Sequence, residues 1–208
     1  MNTNFQKKSQ RVRSALANRS QASQRGQSLM EFAMILPLML LLVLGVIEVG
    51  YALYEAHILA KLAREGSNLI SRQTTLQDAQ TSVVAGASQP VAFGAKGRLV
   101  FSVITTGTGG ANLDKPIISQ RLTVGTLSAP SKVGDPPASS YGLAPEYTAV
   151  NPDNDTAIRV SGPLPNGLVL NAGQFIYLTE VYHRHDLITP FERFGVALPT
   201  NLYASAFF

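Results

Sequence analysis

Between Phe32 and Ile47 the chain runs sixteen residues, FAMILPLMLLLVLGVI, without a charged side chain. As an α-helix this run spans about 24 Å at ~1.5 Å per residue, a little short of a ~30 Å hydrocarbon core. Extension to Leu29 and Tyr54 makes it long enough to cross a bilayer and brings in Glu31 and Glu48. Tyr51 and Tyr54 then fall where interfacial aromatics are found. A carboxylate at mid-membrane depth costs on the order of 2.5–3.5 kcal/mol, less near the interface. Glu31 at the threshold therefore needs a reason that anchoring alone does not supply, whereas Glu48 reads as a helix-end acid at the lipid–water boundary in preference to a structural pairing role.

The charge distribution orients this segment. Residues 1–26 carry Lys7, Lys8, Arg11, Arg13, Arg19 and Arg25 and no acid, while the rest of the chain has two more acids than bases. The overall pI of about 9.5 thus belongs to the tail. Basic residues directly before an apolar run follow the positive-inside rule and place the N-terminus in the cytoplasm; no nucleic-acid surface is needed to explain them. A signal peptide would show a shorter apolar core and an A-x-A-like site, and EVGYALYEAHILAKLAREGSN after Ile47 has neither. Cysteine is absent, which excludes disulfides, thiolate metal sites and cysteine nucleophiles.

Three parts follow: a basic cytoplasmic leader (1–26), expected to be disordered, a helix (27–72) and an extracytoplasmic β-rich domain (73–208). Leu59, Leu62, Ala63, Gly66, Leu69 and Ile70 keep a three-to-four spacing, with Lys61, Arg64, Glu65 and Asn68 off the stripe. This pattern predicts one helix from about Ser28 to about Arg72, membrane-spanning first and amphipathic afterwards, with Pro37 as a tolerated kink. Strands are predicted at 98–106, 117–125, 156–162, 167–171, 174–184 and 202–208, which are rich in β-branched and aromatic residues between Gly, Pro and Asn. TGTGG (106–110) and PNG (165–167) read as turns, and the Pro/Ser/Gly segment 128–147 as an exposed loop. The fold class is α+β: a long N-terminal helix followed by a mainly antiparallel sheet.

A basic leader ending in Gly26, Gln27 as first residue of a mature chain, Glu31 at its fifth position and an apolar helix together resemble a type IV prepilin. More narrowly, Gly26 with Glu31, Phe32 and Ala33, then Leu36-Pro37, Gly45 with Glu48, and Ala63-Arg64-Glu65-Gly66 resemble the TadE-like family over roughly residues 25–72. These are pseudopilins of tight-adherence (Flp) pilus systems. The resemblance implies cleavage between Gly26 and Gln27 by a prepilin peptidase in the bacterial cytoplasmic membrane, with the C-terminal part periplasmic or extracellular. It further implies partnership with other pilin or pseudopilin subunits, the assembly platform and lipid, and no enzymatic role. Physically, glycine lets the backbone enter a narrow cleft. The freed α-amine would compensate Glu31, in its own chain or a neighbour, where a lone carboxylate in low dielectric is penalised. An uncleaved single-pass envelope protein with a β-rich binding domain is the competing reading.

Other constellations are weaker. His183 and His185 share one face if EVYHRHD is a strand, and Glu180 or Asp186 could complete a zinc site with them. His57 lies away on the helix, and an exposed polar strand end is the better account of the pair. NPDNDT (151–156) lacks the glycine of a calcium loop at Thr156 and the closing glutamate at Gly162. TGTGG has no following Gly-Lys-Ser/Thr, and no G-x-S-x-G elbow is present. No catalytic, metal or cofactor residues are assigned.

Overall fold

The computed structural model describes residues 3–87, 89–164, 167–189 and 200–208, with side chains from Gln27 onward. Helix α1 spans Thr3–Ser71 and helix α2 Leu76–Gly86. Four strands follow: β1 (Gly97–Thr106), β2 (Pro116–Val124), β3 (Phe175–Arg184) and β4 (Asn201–Phe207). They form one sheet in the order β2-β1-β3-β4, with every neighbouring pair antiparallel. The predicted α+β class is what the chain adopts. The chain divides into two compact units, residues 1–49 and 50–208.

The first unit is helical from Thr3, which corrects the expected disordered leader: the backbone helix starts 25 residues before Ser28. Residues 3–26 contain no proline and a single glycine, and Gln, Lys, Arg and Ala are good helix formers. Pro37 lies inside the helix without ending it. The apolar side chains from Leu29 to Val49 are mostly exposed, Phe32 and Ile47 among them.

In the second unit α1 shows its amphipathic stripe. Ile58, Leu59, Leu62, Ala63 and Ile70 are buried, while Lys61, Arg64 and Glu65 face solvent. They meet Leu99, Phe101 and Val103 of β1, Leu122 of β2 and Val181 of β3, in a core that also takes Leu76, Ala79 and Val83 of α2. Odd-numbered residues of β1 and β3 point to this face, as the two-residue period of a strand requires. Gly66 marks a close approach of helix to sheet. A Cβ there would lie 2.8 Å from both Phe101 Cε1 and Thr179 Cγ2. The Ser67 hydroxyl one residue on donates to the Ala206 carbonyl of β4 at 2.5 Å.

Helix α2 was not expected from the sequence. Thr75 caps it: its hydroxyl oxygen accepts from the Asp78 backbone N–H at 3.1 Å and donates to Asp78 Oδ2 at 2.7 Å. Its apolar face rests on three residues spaced over two turns, diluted by Gln77, Gln80, Thr81 and Ser82, so periodicity alone gave little signal.

The other face of the sheet is covered by the long β2–β3 connection; most of 128–147 is exposed, as read from the sequence, but Ser131, Val133, Ser140 and Tyr141 turn inward. Val133, Tyr141, Ala149 and Ile158 are buried against Ile104, Ile117, Ile118, Ile176 and Leu178. A bulge at Val103/Ile104 leaves Ser119 unpaired in β2, and its carbonyl accepts from the Ala149 N–H at 2.8 Å. Neither predicted strand in this region forms. Residues 156–158 make a 3-10 turn capped by Asp155, delivering Ile158 to the core, and only Arg159 bridges to β2. Residues 167–171 lie between turns at Gly167 and Gly173, both with positive φ, which leaves too short a run to pair. TGTGG does sit in the β1–β2 hairpin connection, whereas Pro165 and Asn166 of the predicted PNG turn lie outside the described residues.

Candidate functional site

The N-terminal junction is built on one face of α1. Gln27 and Glu31 are four residues apart and thus one turn apart on the same side. The Gln27 side-chain amide donates to Glu31 Oε1 at 3.2 Å, with both residues exposed. Gly26 precedes them within the continuous helix. The geometry places the Glu31 carboxylate one turn from the backbone nitrogen that cleavage after Gly26 would free. Around and beyond it, the apolar helix has a mean hydropathy of 2.6 over its most apolar window, only 6% of that window buried. This one helix is long and apolar enough to cross a membrane. Glu48, further along, is buried with 1% of its surface accessible.

A second polar cluster lies in the 50–208 unit and was missed from sequence. Glu55 of α1 is buried with His183, at the end of β3, and His185 just beyond it. Glu55 Oε2 lies 2.7 Å from His185 Nδ1 and 3.9 Å from His183 Nε2. The reading of the two histidines as an exposed strand end is therefore corrected. Their predicted companions also change: Asp186 pairs with Lys96 at the surface, and Glu180 sits on the opposite sheet face, an odd number of residues from His183. The available signal was Glu55 itself, four residues before Leu59 and seven before Leu62, hence on the inward stripe. Among the described residues no group of three or more His, Cys, Asp or Glu side chains is placed to hold a metal ion.

Burial holds the His183 imidazole below its ordinary pKa, against the opposing pull of Glu55 and Asp186; His185 and Lys96 push the same way as burial. Its unfolded form binds a proton near pH 6.5 and its folded form only below that. Stability is therefore present above about pH 6.5 and is lost as pH falls through the folded value. The melting temperature of the full chain in neutral detergent should fall between pH 7.5 and 5.5. It should fall less in His183→Gln, and a slope unchanged by that substitution would refute the assignment.

Glu180 forms the third cluster, fully buried under the connection. Its Oε1 accepts from the Lys132 N–H at 2.9 Å, the Tyr182 hydroxyl at 2.8 Å and the Tyr203 hydroxyl at 3.3 Å, and its Oε2 from the Ser131 hydroxyl. Burial and the Glu180 carboxylate both push the Tyr182 phenol far above its ordinary value. Nearby, Arg121 donates to Ser102 Oγ at 2.8 Å, the Gly134 carbonyl at 2.9 Å and Asp135 Oδ1 at 3.1 Å. Both carboxylate oxygens of Glu180 accept from donors of the fold, which accounts for this buried acid structurally.

A membrane-length apolar helix that continues as the amphipathic cover of an antiparallel sheet defines an α+β chain with an N-terminal candidate anchor. Residues 26–68 match the family model described as TadE-like protein. The match begins at Gly26 and ends three residues before the helix does, so it covers the junction, the apolar run and most of the stripe. No curated protein and no solved structure matches the chain.

Proposed function

We propose that this chain is a minor pilin or pseudopilin of a tight-adherence (Flp) type IV pilus system, processed after Gly26 by a prepilin peptidase and active by assembly with other pilin-like subunits. The observation that carries this is the coincidence of three features on one helix: a family match that opens on Gly26, an exposed carboxylate at Glu31 one turn beyond, and an apolar surface left exposed from Leu29 to Val49. In this reading the N-terminus lies in the cytoplasm, the apolar helix passes from lipid into a bundle of like helices, and the sheet lies outside the cytoplasmic membrane. Glu31 is costly alone in lipid and satisfied beside a freed α-amine.

The uncleaved envelope-protein reading is favoured by one observation, the unbroken helix through the junction. A protease needs that stretch extended. Glycine lowers the cost of unwinding, being about 1 kcal/mol less favourable than alanine in a helix interior. Co-expression with a prepilin peptidase and intact-mass analysis separates the readings. Loss of residues 1–26 is expected, and Gly26→Leu should abolish it; persistence of the full-length chain beside an active peptidase would overturn the proposal. Glu31→Ala should leave membrane insertion and cleavage intact while cutting recovery in sheared pili at least tenfold. Normal recovery would exclude the charge-pairing role.

A further inference from the structure

The two edges of the sheet are treated differently by the chain. The outer edge of β2 is closed by its own loops: the Val160 N–H donates to the Pro116 carbonyl at 3.0 Å, the Ala149 N–H to Ser119 at 2.8 Å, and the Arg121 N–H to Tyr147 at 3.1 Å. Among the described residues nothing comparable covers β4. Tyr177 and Phe208 exchange both backbone hydrogen bonds, at 2.9 and 3.1 Å, which fixes the alternation along the pair. Leu202, Ala204 and Ala206 turn their backbone groups toward β3. Asn201, Tyr203, Ser205 and Phe207 turn theirs outward, where they meet no partner among the described residues.

Exposed edges are ordinarily blunted by charge, proline or a bulge. Residues 201–208, NLYASAFF, have no charged side chain and no proline, and their register against β3 is uninterrupted. Two hollows flank the edge. One of about 290 Å³ lies at its start, beside Pro130, Lys132, Tyr182 and Tyr203. Another of about 370 Å³ lies at its end, lined by Leu168, Val169, Phe175, Phe207 and Phe208. At the first, Lys132 is exposed with its ammonium 5.7 Å from the Tyr203 ring, and it pairs with no carboxylate among the described residues.

The geometry points to β4 as an acceptor for strand addition: it takes an extended segment of a different polypeptide, apolar where it passes Phe207 and carrying an acid where it passes Lys132. Outward N–H and C=O groups hold such a segment, and the hollows select its alternate side chains. A second copy is the wrong occupant: its own edge strand, NLYASAFF, carries no acidic side chain to meet Lys132.

The inference does not rest on the pilin reading. Its test uses the full chain in its native cells with a benzophenone amino acid at Tyr203 or Ser205, and a control at the distant, exposed Leu143. Adducts from 203 and 205 are expected on one other polypeptide, at sites two residues apart in a stretch bearing an acid near the 203 contact. With the probe at 203, Ser205→Pro removes an outward N–H without touching the β3 ladder and should reduce the adduct at least tenfold. Ser205→Lys should do likewise, and an unchanged melting temperature shows that each variant folds. Absence of an adduct, equal yield in both variants, an adduct to the chain itself or to a second copy, or equal labelling from position 143 overturns it. The length of the chain on the same gels scores processing at Gly26 separately.

Discussion

Glu180→Leu is expected to lower the melting temperature of the 50–208 unit by roughly 10 °C, about 3–5 kcal/mol in total for leaving several buried donors without their acceptor. The substituted side chain fills space and leaves the Tyr182 hydroxyl, the Ser131 hydroxyl and the Lys132 N–H without their acceptor. Ser131 and Lys132 begin the segment that carries Val133 onto the outer sheet face, so the loss spreads from one carboxylate to a whole layer of the core. Glu180→Gln keeps the shape and one acceptor oxygen and should fall between the two. A thermal scan of the full chain in detergent measures both; a leucine variant within about 1 kcal/mol of the wild type would show that the donors find other partners.

Gly66→Leu should be nearly as damaging, at about 3 kcal/mol or the upper end of overpacking penalties. Alanine at this position isolates the cause. It gains about 1 kcal/mol of helix propensity, yet its Cβ would stand 2.8 Å from Phe101 Cε1 and Thr179 Cγ2, so net destabilisation is expected. A stabilised Gly66→Ala would mean that the helix can lift from the sheet without loss, contrary to the packing of Leu62, Ala63 and Ile70 around it.

Those two residues also show what was readable beforehand. Gly66 belongs to the motif that resembles the TadE-like family and lies on a clear helical stripe, so both its placement and its match were visible. Strands β1 to β4 were found because each carries a long β-branched or aromatic run between breakers. What failed was local sequence without strong periodicity. Helix α2 has three inward residues and a polar remainder; its Thr75 and Asp78 were the usable sign. Segments 156–162 and 167–171 have strand-like composition, but the turns around them decide their paths. Glu55 was hidden for a different reason: its partners His183 and His185 lie 128 and 130 residues away, and only the stripe on α1 hinted that it faces inward. The leader's polar, basic composition matches that of disordered segments, yet its Gln, Lys, Arg and Ala favour the helix that forms from Thr3.

All seven tyrosines, from Tyr51 to Tyr203, fall in the 50–208 unit, and the chain has no tryptophan. The apolar side chains of α1 before it are mostly exposed. In micelles the two halves will therefore give discordant melts. Tyrosine emission will report one cooperative transition, while ellipticity at 222 nm will keep a plateau beyond it from a helix that the detergent, and not the sheet, maintains.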